Sequence, residues 1–214
     1  MTNLQKRIFT SVILIIIVLS CLLINNYTWL FLLIIVSLIS LFEIFCLIKK
    51  IWRKKLTLFI FLALSFIYLS FFTFITFIAK TWYGFEGILF ILSICILSDI
   101  GGYIVGKSIG GKKLTKISPN KTISGTIGAF LFSLSPLIFF SHVYIEIELI
   151  NIIWIFIISL TCQLGDLFIS YLKRLAKVKD TGNFLPGHGG ILDRIDGIIF
   201  GVPIGFLYWL IAFI

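Results

Sequence analysis

Residues 149–172 read LINIIWIFIISLTCQLGDLFISYL, an apolar run interrupted by a few small polar residues and a single acid, Asp166. A helix rises about 1.5 Å per residue and the hydrocarbon core of a bilayer is about 30 Å thick, so a run of this length suits a membrane-spanning helix. Strands with open edges would leave backbone groups unpaired in lipid, which makes helix the expected state. Working outward, similar runs lie at about Ile8 to Ile24, Trp29 to Ile48, Leu56 to Ala79, Gly87 to Val105, Ile123 to Phe140 and Gly197 to Ile214. The chain is 60% hydrophobic and only 13% charged over 214 residues, with mean hydropathy +1.15, too apolar for a water-soluble globule to hide. The expected fold is an all-α polytopic integral membrane protein of about seven transmembrane helices. No polar stretch is long enough to hold a separate core, so one continuous membrane domain is expected, with N-terminal membrane helices in residues 1–85 and the chemistry in residues 86–214.

The net charge is +9, from 18 basic and 9 acidic residues. Every basic residue except Lys80 falls in one of four zones: Lys6 and Arg7; Lys49 to Lys55; Lys107 to Lys121; and Lys173 to Arg194. The alternate connections, near Asn25 to Thr28, Lys80 to Glu86 and His142 to Glu148, carry glutamates and that one lysine. Positive-inside bias therefore predicts a cytoplasmic N-terminus and an external C-terminus. The excess charge is then a matter of topology, and no nucleic-acid partner is expected. Lys6-Arg7 followed by an apolar run has the outline of a signal peptide. Leu22-Leu23-Ile24-Asn25-Asn26 is no small-residue cleavage site, so the run reads as an uncleaved first span. Cys21, Cys46, Cys95 and Cys162 sit inside apolar runs without metal-ligand spacing and read as small buried hydrophobes.

All the aspartates, Asp99, Asp166, Asp180, Asp193 and Asp196, lie in or beside the third and fourth basic zones, which is where chemistry is expected. Asp166, Ser170, Lys173, Arg174 and Lys177 are spaced by three or four, so a helix leaving the membrane carries them along one face. Asp166 is either a buried acid neutralised by Lys173 or Arg174 or, since an ionisable group within a span is costly, a functional one. Asp180-Thr181-Gly182-Asn183 is a turn by composition. Pro186-Gly187-His188-Gly189-Gly190 is a loop whose glycines allow amides to approach an anion, with His188 placed to donate to a phosphate. It runs into Asp193-Arg194-Ile195-Asp196, at the start of the last helix by pattern. Asp193 and Asp196, three apart, repel unless a cation intervenes, which points to Mg²⁺ held by carboxylates and completed by substrate phosphates. Acids favouring the helix dipole would account for either aspartate, but not for the adjacent loop.

In the third zone Gly111-Lys112-Lys113 fails the P-loop pattern, because Lys113 stands at the hydroxyl position. Ser118-Pro119 before an apolar helix reads equally as an N-cap or, with Lys121 and Thr122, as a group that meets a nucleotide phosphate. Glu43, about two turns from Lys50, reads as snorkelling or pairing with it and lies outside the expected site, as does His142.

Ser170-Tyr171-Leu172-Lys173-Arg174, Lys179-Asp180, Gly182, Leu185-Pro186, His188-Gly189-Gly190 and Asp193-Arg194-Ile195-Asp196 together resemble the signature of the phosphatidate cytidylyltransferases, or CDP-diacylglycerol synthases. The likeness continues through Gln163-Leu164-Gly165-Asp166 and, more loosely, Asp99-Ile100-Gly101-Gly102-Tyr103 and Ser118-Pro119-Asn120-Lys121-Thr122; it covers roughly the C-terminal half. It implies transfer of the cytidylyl group from CTP to phosphatidate, with Mg²⁺ and a companion K⁺, the Mg²⁺ held by Asp166 and Asp193. It also implies a multi-pass protein of the cell inner (plasma) membrane with its active site on the cytoplasmic side. A homodimer is a further expectation. Two positions depart from the family pattern: Ile169 stands where an acid is common, and Ser124 near where a glutamate is.

Residues and resemblance together nominate Asp166, Asp193, Lys173, Arg174, His188 and Arg194 for the reaction. Ser118, Lys121, Thr122, Ser170, Lys179, Gly189 and Gly190 are nominated for substrate phosphates, and Asp166, Asp193 and Asp196 for metal. Among other membrane enzymes, a CDP-alcohol phosphotransferase requires a D-G-x-x-A-R core that is absent. From a different class, a transporter or scramblase of anionic lipid or phosphate is the alternative; it predicts charge near the midplane in paired broken helices, whereas these acids gather toward one face.

Overall fold

The computed structural model describes residues 3–115, 117–119, 121–140, 147–187 and 189–212. Helices account for nearly all of it: α1 (Asn3–Ile24), α2 (Asn26–Ile51), α3 (Lys55–Ile109), α4 (Ile123–Ser133), α5 (Ser135–Phe140), α6 (Leu149–Leu175), α7 (Leu192–Ile195) and α8 (Ile198–Ala212). Among the described residues the only β pairing is two isolated bridges, Lys113 with Thr122 and Leu185 with Gly189.

Each apolar run of the sequence is helical over most of its described residues. Among the described residues four stretches are long and apolar enough to cross a membrane: Asn26–Ile51, Lys55–Ile109, Ile123–Phe140 and Leu149–Leu175, with a shorter apolar helix at Ile8–Ile24. At about 1.5 Å per residue the 55 residues of α3 far exceed one bilayer. Gly84 divides it, with φ 68° and ψ −164°, a conformation that a side chain resists. The connection expected at Lys80 to Glu86 is therefore helical on both sides of one non-helical glycine. The run Ile123 to Phe140 likewise contains two helices, which meet at Leu134.

The chain forms two compact units. The first comprises Met1–Phe85 and Leu172–Ile195, the second Glu86–Tyr171 and Asp196–Ile214. In the first, Leu22, Trp29, Leu33, Leu47, Leu69 and Phe72 are buried together with Leu192 from the returning segment. Asn25 caps α2 in a capping box with Thr28. Lys80 is buried and donates from Nζ to the Asn25 carbonyl at 2.6 Å, placing a cation at the end of α1, where the helix dipole is negative. In the second unit Phe90, Ile91, Ile94, Ile155, Ile158 and Ile199 form the core. Cys95 and Cys162 are buried as expected, with Gly201 packed against both sulfurs; Cys21 and Cys46 are only half-buried. Large apolar side chains such as Ile16, Phe31, Phe59, Ile127 and Phe139 are exposed, the outward face of a protein whose solvent is lipid.

α3 and α4 meet through glycines. A Cβ on Gly101 would lie 2.5 Å from the Gly128 carbonyl oxygen, and one on Gly125 would lie 2.8 Å from that of Gly102. Small residues let the two backbones touch, the usual means of holding helices together where lipid supplies no hydrophobic drive.

The end of α6 departs from the sequence pattern. The helix stops at Leu175, and the Lys177 and Val178 amides bond back to the carbonyls of Arg174 and Lys173, at 3.1 and 3.0 Å, closing a Schellman turn. Lys177 lies in the left-handed region, with φ 55°, a place glycine usually takes. It is thus not the next step of the helical face on which Asp166 and Ser170 lie. Lys177→Gly is expected to stabilise the protein by about 1 kcal/mol, read as a higher unfolding temperature in detergent. A lowered midpoint would refute this.

Candidate active site

Within the first unit the polar residues of the C-terminal signature collect around Asp193. Its Oδ1 accepts from Lys173 Nζ at 2.7 Å; its Oδ2 accepts from the Thr181 amide at 2.8 Å and the Gly190 amide at 3.0 Å, and lies 3.0 Å from the Thr181 hydroxyl oxygen. The side chains of Lys173 and Asp193 are only 13% and 5% exposed, so this ion pair is largely out of water. Burial alone would raise the Asp193 carboxyl. The Lys173 hydrogen bond, the two amides and the Lys173 charge outweigh it and hold the group below its ordinary value. Asp193 is therefore an anion at neutral pH.

The loop before it is shaped by glycines at positive φ, Gly187 at 79° and Gly189 at 83°, and the Leu185 amide donates to the Gly189 carbonyl at 2.9 Å. His188 lies outside the described residues. The Gly190 amide, expected to cradle a phosphate, instead donates to Asp193. Arg174, Lys179 and Arg194 are exposed, and the Arg194 backbone amide bonds to the Ile191 carbonyl at 2.9 Å.

The residue that sequence reasoning left out is Glu43. Its expected partner was Lys50, but Glu43 is 1% exposed and its carboxylate faces the signature loop. Oε1 accepts from the Ile191 amide at 2.9 Å, and Oε2 from the Thr181 hydroxyl at 2.7 Å and the Leu192 amide at 2.9 Å. The signal was present in the sequence, a lone acid inside an apolar run, which by its solvation cost calls for a specific partner.

In the second unit the structure brings together Lys121 and Asp166, whose Nζ and Oδ2 are 2.5 Å apart. Ser170 Oγ donates to Asp166 Oδ1 at 3.3 Å, and Asp99 on α3 is within electrostatic reach of both Asp166 and Lys121. The ammonium group paired with Asp166 is that of Lys121, while Lys173 pairs with Asp193. A short hairpin presents that lysine: the Leu114 amide bonds to the Lys121 carbonyl at 2.8 Å and the Ile123 amide to the Lys112 carbonyl at 3.0 Å.

The N-cap of α4 is Thr122, not Ser118. Thr122 is extended, with φ −116° and ψ 159°, and its hydroxyl accepts from the Gly125 amide at 3.1 Å. The Ser118 carbonyl instead accepts from the Lys121 amide at 3.1 Å in the preceding turn. Ser124, where the family pattern approaches a glutamate, bonds to the Gly110 carbonyl and the Thr122 hydroxyl; Ile169 is buried.

Asp196 is buried and follows the last residue of α7. α7 ends at Ile195 and α8 begins at Ile198, and Asp196 Oδ1 accepts from the Gly197 amide at 3.0 Å in the gap. Among the described residues no three or more His, Cys, Asp or Glu side chains converge as an all-protein metal cage. Mg²⁺ typically needs only one or two carboxylates, with water and substrate phosphates completing its shell. Asp166 and Asp193 suit that role. Each is a carboxylate, the donor Mg²⁺ prefers, and each now faces an ammonium group with which a metal would have to share it, Lys121 at Asp166 and Lys173 at Asp193.

These features define a helical membrane protein with several long apolar helices and an acid–cation pair in each of its two units. The chain belongs to the cytidylyltransferase family, whose sequence model matches residues 47–212. It is 45% identical over 136 residues to a phosphatidate cytidylyltransferase of Bacillus subtilis (strain 168), covering 59% of this chain and 48% of that protein. Against the phosphatidate cytidylyltransferase of Rickettsia bellii (strain RML369-C) it is 47% identical over 133 residues, 55% of this chain and 56% of that one. Against that of Helicobacter pylori (strain J99) it is 40% identical over 120 residues, 56% of this chain and 45% of the relative. The chain spans about half the length of the curated relatives it matches.

Proposed function

We propose that this chain transfers the cytidylyl group of CTP to phosphatidate, giving CDP-diacylglycerol and pyrophosphate. The observation that carries the reading is the segment from Leu172 to Ile195. It bears most of the family signature, and its central acid, Asp193, is held ionised by Lys173 and by amides of the same loop. A phosphate oxygen of phosphatidate forms a bond to the α-phosphorus of CTP while the bond from that phosphorus to the bridging oxygen breaks, and pyrophosphate leaves with the electron pair. The attacking phosphate is already ionised at neutral pH, so no strong general base is needed. What the reaction needs is charge management, since two polyanions must meet and a third must depart.

The chain's own cations can supply it, with Lys173, Arg174, Lys179 and Arg194 in one unit and Lys121 in the other. His188 would add a donor. Asp166 and Asp193 would hold Mg²⁺, which when bound neutralises phosphate charge and orients the leaving group; K⁺ is a companion by resemblance. We read the apolar helices as about seven spans in the inner (plasma) membrane, with the N-terminus and the reacting groups on the cytoplasmic side, from the segregation of basic residues.

The test is direct. Purified protein in detergent with Mg²⁺, radiolabelled CTP and phosphatidate is expected to release label into an organic-soluble product that co-migrates with CDP-diacylglycerol. A well-folded protein that makes none, or that labels lipid equally without phosphatidate, would end the proposal.

A further inference from the structure

A carboxylate deep in an apolar helix costs several kcal/mol unless it is hydrogen-bonded. Glu43 answers that cost with three donors, all from the 181–192 loop: Thr181 Oγ1, Ile191 N and Leu192 N. The fit is close enough to dictate nearby residues. A Cβ on Gly182 would come 2.6 Å from Glu43 Oε1, and one on Gly190 would strike both Glu43 Oε2 and the Thr181 hydroxyl. Phe184 adds an edge-on contact with Phe42, one residue from Glu43, with ring centroids 6.1 Å apart.

The clamp is coupled to the acid that the proposed reaction uses. Three consecutive amides are divided between two carboxylates, Gly190 to Asp193 and Ile191 and Leu192 to Glu43. The Thr181 hydroxyl lies between the same two groups, 2.7 Å from Glu43 Oε2 and 3.0 Å from Asp193 Oδ2. We propose that Glu43 is a positioning residue: it fastens the signature loop to α2 and, through Thr181 and the 190–192 backbone, aims the Asp193 carboxylate. This rests on the cytidylyl-transfer reading above. A misplacement of about 1 Å in a reacting constellation can cost on the order of a hundredfold in rate, so holding the loop is itself a catalytic requirement.

The experiment uses the full chain in lipid nanodiscs, as wild type, Glu43→Gln, Thr181→Val and Thr181→Ser. Glutamine offers one acceptor oxygen and turns an NH₂ toward the groups that Oε1 or Oε2 now serves, setting donor against donor at one of the backbone amides. Glu43→Gln is expected to lower kcat, per folded molecule, by roughly ten- to a hundredfold with KM for CTP little changed, and to speed hydrogen exchange across residues 181–192. Thr181→Val is expected to lose more kcat than Thr181→Ser, because serine keeps the hydroxyl that lies between the two carboxylates. A packing role for Thr181 predicts the reverse order, since valine keeps the volume.

An active wild type whose Glu43→Gln and Thr181→Val variants keep their kcat overturns the positioning role alone. A wild type that makes no CDP-diacylglycerol overturns the functional reading. The exchange data then still decide the clamp, which fails if Glu43→Gln leaves residues 181–192 as protected as in wild type.

Discussion

Asp193→Asn is expected to reduce CDP-diacylglycerol formation by on the order of 10²–10³ while leaving a folded protein. The substitution keeps the shape of the side chain. One amide oxygen can still accept from the Thr181 and Gly190 backbone amides that now hold Oδ2, so the loop retains much of its anchorage. What changes is the other arm. An NH₂ group replaces Oδ1 opposite the Lys173 ammonium, so a charge-assisted bond of 2.7 Å becomes a contact between two donors. The site loses the negative charge that would bind a cation, and Lys173 loses the anion that holds it in place. Removing one partner of a buried pair is strongly destabilising when the other is trapped. Lys173, 13% exposed, has a long flexible stem and a route toward water, so the cost here is expected as a drop of a few degrees in the unfolding midpoint, short of collapse. Turnover and thermal unfolding measured on the same preparation separate the two effects. Turnover near the wild-type rate would remove Asp193 from the reaction.

The parts of this arrangement that the sequence made legible are those governed by local rules. Apolar run length located the helices because each span satisfies its own backbone hydrogen bonds whatever its neighbours do. The Asp193 loop was legible through its glycines and clustered charge. Legibility failed wherever a long-range partner decides the outcome. Asp166 has Lys173 and Arg174 within about two or three helical turns, yet its cation is Lys121, presented by a hairpin that no periodicity reveals. Glu43 was matched to the nearest cation along its helix, but three donors from the 181–192 loop lie across space from it. Gly190 read as room for a phosphate, whereas the space its side chain would need is filled by Glu43 and Thr181. Choosing Thr122 over Ser118 as the cap depended on a turn in which the Ser118 carbonyl is already engaged.

Gly128→Leu is expected to be the most damaging change outside the charged residues, abolishing activity and most of the folded yield. A Cβ at this position would run into the Val105 side chain and come 2.7 Å from the Gly101 carbonyl oxygen, before any further carbon of leucine is placed. The obstruction is mostly backbone and a β-branched side chain, neither of which swings aside, so α3 and α4 must separate. Overpacking of this kind costs about 1–3 kcal/mol in ordinary cores, and more where the neighbour is backbone. Separation also undoes the contacts one turn along, where Gly125 packs against Gly106, since the two helices touch along a line. The consequence reaches the site because α4 starts at its Thr122 cap, and the residue before it is Lys121. Moving α4 away from α3 carries Lys121 with it and loosens its pair with Asp166. Gly128→Ala should show a milder form of the same defect, since its methyl already meets Val105 Cβ and the Gly101 carbonyl oxygen but adds no further carbon to place. Purified yield, monodispersity in detergent and unfolding temperature should therefore fall in the order glycine, alanine, leucine, with turnover following. A leucine variant with the wild-type midpoint would mean that the close approach of these two helices contributes nothing to the fold.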